Sequence, residues 1–482
     1  MDDQRRRGRQ FDTSRRRFLQ AGALGPVGSL LGAGRAAAGI QDPAADGGDE
    51  VPRGSADAIA NDVRSEYLRA WEAYKEIAFP NDELHPKSET ASNWLSKPLG
   101  LTIVESIDTL YLMGADDEVQ LAVDWVTDNL DFDVDGEIQV FEATIRYVGG
   151  LLAGYHATGE ERLVSLARDL ADRLLPAFDS RTGLPYRDVN LRTGEVSGQQ
   201  NFTAEIGTLH PEWCELSRLT GDPTYGDVTR AALKGLYDRR SALDLVGTTI
   251  DVETGRWTDR TAQIDPPVDS FYEYLWDTWT LFGDREARKW YRTLERGILE
   301  YMAETRDGEL WFKSVNMDTG RFASRVQSEL TTFMAGLLAE AGDRELGSNY
   351  LDSWTGVHDQ FGLPPESYDY TSDSVVSSGY RLRPEYAGPC LILYAATGDQ
   401  RYRDLARKHY RRMKRYCRVE NGYTTIADVR TMDQGDLTPG YWFSENMKYL
   451  YLTFADTRRF DYDDYYLTTE GNVLRGIQRE SD

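Results

Sequence analysis

Seven carboxylates sit inside otherwise apolar or aromatic stretches, where helix formation would bury them. Burying a charge costs several kcal/mol unless it is paired or put to use. Glu142 lies in Phe141-Glu142-Ala143-Thr144-Ile145-Arg146-Tyr147-Val148-Gly149-Gly150, and Glu205 and Glu212 flank Gly207-Thr208-Leu209. Asp269 and Glu273 fall in Asp269-Ser270-Phe271-Tyr272-Glu273-Tyr274-Leu275-Trp276. Glu385 ends Arg381-Leu382-Arg383-Pro384-Glu385, and Glu445 follows Tyr441-Trp442-Phe443-Ser444. The histidines form no HExxH, and Cys214, Cys390 and Cys417 form no CxxC, so zinc chemistry has little support. No serine or cysteine nucleophile motif is present. Paired carboxylates among aromatic rings suit carbohydrate chemistry: one acid protonates a leaving oxygen, and a second carboxylate acts from the opposite face. A blander reading stands beside it. Glu142 and Arg146 are i,i+4 neighbours and Glu445 and Lys448 i,i+3, the spacing of ordinary helix ion pairs.

The elements that must carry these residues follow one pattern. An apolar stretch ends in a Gly-acidic turn, and an amphipathic stretch begins. The turns centre on Gly114, Gly159, Gly221, Gly283, Gly342 and Gly398, at 45, 62, 62, 59 and 56 residue intervals. Glycine accepts the left-handed geometry of a helix C-terminus, and the acidic residue favours the next N-terminus. A two-helix repeat near 60 residues is too long for tetratricopeptide units. It predicts six or seven helical hairpins in a toroid, an all-α (α/α) barrel. Connections such as 181–198 and 246–267 read as short β-hairpins or loops at one rim. With no internal linker, residues 59–482 are expected to form one domain.

Composition narrows the partners. There are 55 Lys+Arg against 80 Asp+Glu, a net charge of -25, which argues against nucleic acid. Only 9 of the basic residues are Lys, and low Lys with excess acid suits solubility in strong brine, a halophilic source. Hydrophobic residues make up 40%, enough for a large core. Ser14-Arg15-Arg16-Arg17-Phe18-Leu19-Gln20, followed by an apolar Gly/Ala-rich run, resembles a twin-arginine export signal. The run is too short to span a bilayer well, so stable membrane insertion is not expected. Residues 1–39 are read as the signal and 40–58 as a flexible linker. The expected destination is secreted or extracytoplasmic, the expected state a monomer.

Taken in order, several segments resemble glycoside hydrolase family 47, the class I α-1,2-mannosidases and their degradation-enhancing relatives. They are Ala70-Trp71-Glu72-Ala73-Tyr74, Thr102-Ile103-Val104-Glu105-Ser106-Ile107-Asp108-Thr109-Leu110, the Glu142 segment, Asp269-Ser270-Phe271-Tyr272-Glu273, Arg383-Pro384-Glu385, Lys448-Tyr449-Leu450-Tyr451-Leu452 and Thr468-Thr469-Glu470. The resemblance runs from about Tyr67 to Leu474. It implies an (α/α)7 barrel that binds Ca2+ and removes α-1,2-linked mannose with inversion. It places Glu142 as general acid, Glu385 as general base and Asp269 as a third essential carboxylate whose role is acid or base. Thr469 would hold the calcium. Arg146, Glu212, Arg383, Tyr441, Glu445 and Glu470 would surround the sugar and the metal's waters. Inversion sets the acid and base roughly 6.5–9.5 Å apart. The chain departs from the family pattern at Gly388 and Glu329, where a glutamate and a histidine are usual. Thr438-Pro439 replaces Met-Glu, and Pro267 an arginine. Two other readings remain open: a glycan-binding, quality-control-like protein of this fold with little turnover, and an (α/α)-barrel epimerase or lyase.

Overall fold

A computed structural model describes residues 54–462 and 464–475. The expected export signal and most of the expected linker lie outside the described residues. The first described helix, Ala56–Ile77, begins three residues before the boundary expected at 59.

The described residues form an (α/α)7 barrel. The inner ring consists of Leu101–Leu112, the run 140–158, His210–Thr220, Asp269–Phe282, Phe333–Glu340, Ala387–Thr397 and Met447–Phe454. The outer ring consists of Ala56–Ile77, Asp116–Asn129, Glu161–Leu174, Thr224–Asp238, Arg285–Tyr301, Arg344–Phe361 and Gln400–Cys417. Burial distinguishes the two. Leu101–Leu112 is buried at every position except Tyr111, because it has neighbours on all sides. Glu161–Leu174 buries only the stripe Leu163, Ala167, Leu170, Ala171 and Leu174, the face of an amphipathic helix laid on a core.

Each inner helix but the last passes to its outer partner through one of the six glycine turns, with φ between 69° and 104°. A side chain there would be strained, so glycine fixes the turn. Acidic caps start several outer helices: Asp284 accepts from the backbone N–H groups of Glu286 and Ala287. Apart from one final hairpin, the short antiparallel strands lie in the return connections from outer to next inner helix and form sheets of two or three. The glycine turns therefore make one rim and the strands the other. Inner helices all start at the strand-rich rim.

The ring closes where Met447–Phe454 packs on Ala56–Ile77 and the turn before it packs on Leu101–Leu112. Lys414 bonds Asp62 at 2.9 Å and Arg418 bonds Glu66 at 2.9 Å across that seam. The last described element, the hairpin Tyr465–Leu467 and Val473–Arg475, returns into the barrel. Its turn is held from several inner helices. Asn472 Nδ2 donates to the Ile145 carbonyl at 2.7 Å, and the Val473 N–H donates to Asp108 at 3.1 Å. Lys448, wholly buried, donates to Asp108 at 2.7 Å and to the Gly471 carbonyl at 2.6 Å. Among the described residues no helix is long and apolar enough to cross a membrane.

Candidate active site

The singled-out carboxylates gather because inner helices start at one rim and the final hairpin rises to meet them. Asp269 begins its helix, Glu385 lies two residues before Ala387–Thr397, and Glu142 ends the short helix Val140–Glu142. Helix N-termini favour negative charge, which offsets part of the cost of crowding acids there. Two inner helices widen into π-helical turns at site residues. Ala143–Val148 carries Arg146, and Trp442–Asn446 carries Glu445 directly after Tyr441. Such turns re-aim side chains and often mark functional sites.

Arg146 is the hub of one side. Its Nε donates to Glu142 Oε2 at 2.6 Å, and its Nη1 donates to Glu105 Oε1 at 2.8 Å and to Glu470. Its guanidinium lies 5.7 Å from the Trp94 ring centroid and 5.6 Å from that of Tyr441. The i,i+4 ion pair read from the sequence is thus present, but as one arm of a three-carboxylate arrangement. The other expected helix pair is not made. Lys448 pairs with Asp108, which leaves Glu445 to accept from the Tyr449 hydroxyl at 3.3 Å.

The opposite side is built on Arg381-Leu382-Arg383-Pro384-Glu385. Leu382 is fully buried with φ 61°, a left-handed conformation that a leucine keeps only when its surroundings hold it. Asn446 supplies that hold, donating to the carbonyls of Leu382 and Arg383 at 2.9 Å each. Arg383 makes two bonds of 3.2 Å to Glu366 and lies 5.5 Å from the Tyr441 ring centroid. Tyr441 therefore stands between the two arginines, its hydroxyl donating to the Arg381 carbonyl at 2.7 Å.

Burial raises the proton affinity of these carboxylates. Glu385 is pushed up to about 7 by burial, with Arg383 pulling against it and Glu366 and Asp269 adding to it. Its Oε2 is buried and accepts no hydrogen bond. Asp269 is pushed up to about 6 by burial, against the Ser270 N–H and Arg383. Deeper in the barrel, burial lifts Glu212 and Glu273 to about 8 each, and Glu445 and Glu470 also lie above the ordinary range.

The floor of this chamber bears on the calcium expectation. Thr469 Oγ1 donates to Glu273 Oε2 at 2.7 Å, and Glu212 Oε2 is buried without a partner. Among the described residues no group of three His, Cys, Asp or Glu is placed to ligate a metal directly. What surrounds Thr469 is a surplus of buried carboxylates with few positive charges. That donor set fits a hard cation held by threonine oxygens and a carboxylate-bound water shell.

The structure brings all ten expected site residues to this chamber. Glu105, Glu366 and Asp265 join them with no role assigned from the sequence. Glu105 lay inside a recognised segment, and its position three residues before Asp108 in an otherwise largely apolar stretch was the available signal. Glu366, in Pro364-Pro365-Glu366, carried none. The departures are placed too. Glu329 is wholly buried with both oxygens unpartnered, and burial together with Glu366 and Glu385 raises its proton affinity well above the ordinary range. Gly388 faces Tyr449, whose ring would lie 3.4–3.5 Å from an added Cβ, an ordinary contact. Of the cysteines, Cys390 and Cys417 are buried and Cys214 is half-buried.

Comparison with known proteins agrees with this geometry. Residues 66–476 match the family described as glycosyl hydrolase family 47. Alpha-mannosidase I of Arabidopsis thaliana is 35% identical over 449 residues, covering 88% of this chain and 71% of that protein. ER degradation-enhancing alpha-mannosidase-like protein 2 of Homo sapiens is 36% identical over 414 residues, covering 82% of this chain and 70% of that one. Among solved structures, an alpha-1,2-mannosidase from Trichoderma reesei superposes with a TM-score of 0.78 at 27% identity, over 86% of this chain and 98% of its own. A barrel shared with a solved mannosidase and a family match over most of the chain leave one assignment: this chain belongs to glycosyl hydrolase family 47.

Proposed function

We propose that the protein is an exported, Ca2+-dependent, inverting α-mannosidase that trims α-1,2-linked mannose from glycans. The observation that carries this reading is the opposition of two acidic sets across Tyr441: Glu142 held by Arg146 on one side, Asp269 and Glu385 beside Arg383 on the other. Glu142 is half-exposed to the chamber, as a group that must reach a leaving-group oxygen needs to be. Protonated, it delivers its proton to that oxygen as the glycosidic bond breaks. Glu385 removes a proton from water that attacks the opposite face, and its unpartnered Oε2 is a free acceptor for that water. Asp269 shares the field of Arg383 and acts as the base if Glu385 does not. Tyr441 offers an aromatic face to the sugar, while Arg146 and Arg383 fix its hydroxyls and hold the carboxylates apart.

Thr469 would hold Ca2+, with Glu212, Glu273, Glu445 and Glu470 accepting hydrogen bonds from its waters. Bound there, the ion would supply a hard centre for vicinal sugar hydroxyls. Export rests on the twin-arginine-like segment Ser14–Gln20. The partner is a mannose-bearing glycan, bound by a monomer.

The test is mannose release from α-1,2-mannobiose in high salt, with Ca2+ and with chelator, for the wild type and Glu142→Gln. Calcium-dependent release by the wild type alone is expected, and β-mannose should be the first anomer seen by proton NMR. No release by a folded, calcium-binding wild type would sink the reading. Gly388 favours the second reading, a glycan-binding protein with little turnover, because a carboxylate usual in the family is missing there. Release restored by Gly388→Glu would establish that reading.

A further inference from the structure

Glu105 and Gly440 form a packed pair that nothing in the proposed mechanism uses. Glu105 belongs to the first inner helix and is 1% exposed. Gly440 lies just ahead of the last inner helix, so the pair sits at the seam where the ring closes. A Cβ added to Gly440 would fall 1.8 Å from Glu105 Oε2 and 3.6 Å from Leu101 Cγ. Gly440 is not among the residues with positive φ, so backbone freedom is not the reason for glycine here. The reason is space: the Glu105 carboxylate occupies the volume a side chain would take.

A carboxylate at the end of a flexible side chain normally moves aside at little cost. Glu105 cannot do so without loss, because its other oxygen accepts from Arg146 Nη1 at 2.8 Å. The same Nη1 donates to Glu470, and the Nε of Arg146 donates to Glu142 Oε2 at 2.6 Å. Displacing Glu105 therefore releases one of three anchors on the guanidinium that holds the candidate acid. The remaining anchors are Glu142 itself and Glu470, which sits on the turn of the final hairpin. Glu105 is the anchor fixed to a fully packed helix.

We infer that Glu105 is a positioning residue for the acid side of the site, and that the absence of a side chain at Gly440 admits it. Glu105 acts through Arg146 and touches neither substrate nor reacting atoms. The inference rests on the mannosidase reading for its catalytic consequence but not for the pair itself.

The experiment compares four full-length proteins: wild type, Gly440→Ala, Glu105→Asp and the double variant. Each is assayed for α-1,2-mannobiose hydrolysis and for thermal melting. Gly440→Ala drives the carboxylate off Arg146, and Glu105→Asp withdraws it by one methylene. Each single change should lower kcat about hundredfold with KM within about threefold, since the acid is misplaced rather than the sugar released. In the double variant the shorter acid makes room for the methyl group but still falls short of Arg146, so both changes act through one lost anchor and kcat should be no lower than that of the slower single variant. A double variant whose kcat loss is the product of the two single losses, or single variants with unchanged kcat, would overturn the inference. Melting temperatures read the pair without substrate: the double variant should regain most of what Gly440→Ala loses. A wild type that hydrolyses nothing, with that recovery intact, refutes the mannosidase reading and leaves the packed pair standing. Absence of the recovery refutes the pair.

Discussion

Arg383 faces two carboxylates that differ in how readily they give up a proton, and this offers a way to identify the base. Burial sets Glu385 near 7 and Asp269 near 6, with Arg383 opposing burial in both. A general base must be ionised to work, so kcat/KM should rise with pH through the base's own titration. A limb near pH 7 is expected if Glu385 is the base, and near 6 if Asp269 is. The two interact, so the limb belongs to the pair until one is changed. Replacing Asp269 by Asn removes a negative charge beside Glu385, and the limb in the residual activity should move to lower pH. A limb that stays in place would take the base role from Glu385. Glu329 sharpens the same measurement. It is buried and unpartnered, and burial with Glu366 and Glu385 raises its proton affinity well above the ordinary range. Glu329→Gln should therefore leave the limb where it is, whereas an ionised Glu329 would, once replaced, let it fall.

The turns and helices explain both what could be read from the sequence and what could not. The six glycine turns announced the hairpins because a left-handed helix end is a local requirement, written into one residue. The carboxylates stood out because acid within an apolar helix is costly anywhere. The family resemblance grouped ten residues as one site, and the fold places all ten around one chamber. The π-helical turns at 143–148 and 442–446 had no such local mark. They arise from packing, as does the strained Leu382, which depends on Asn446 sixty-four residues away. The pairing of Lys448 followed the same logic: i,i+3 spacing pointed to Glu445, but Asp108 on a neighbouring inner helix lies closer to its charged end. That pair fastens the final hairpin, because Asp108 also accepts from the Val473 N–H and Lys448 also donates to the Gly471 carbonyl. Lys448→Met should leave Asp108 buried and unpaired, at a cost of about 3–5 kcal/mol. Thermal melting should show this loss. Because Thr469 rides on the same hairpin, the variant should also need more Ca2+ for half-maximal stabilisation. Unchanged melting would mean that the hairpin is held by its other contacts alone.

At the scale of the whole molecule, charge is stored in two places that respond to different conditions. The net charge of -25 repels itself across the surface, so added NaCl should raise the melting temperature by screening it. The barrel interior holds a second store that salt reaches poorly. Burial lifts Glu105, Glu212, Asp265 and Glu273 to about 8 each, from ordinary values of 4.5 for glutamate and 3.8 for aspartate. Between the ordinary and the raised values, the folded chain binds more protons than the unfolded one. Stability from these groups is present at low pH and is lost as pH rises toward 8. Buried histidines act the other way at lower pH. Burial depresses His210 to about 4 and His409 to about 3, so they cost stability as pH falls below 6.5. Above 6.5 the histidine contribution fades and the raised carboxylates dominate the change. In chelator, the melting temperature should therefore fall steadily from pH 6.5 to 8. Calcium in the Thr469 region would replace the missing protons as the source of positive charge, so its stabilising effect should grow over the same interval. At a hundred times its dissociation constant a ligand adds about 2.7 kcal/mol, well within reach of a melting measurement. A calcium effect independent of pH, or one that shrinks as pH rises, would place the ion away from these carboxylates.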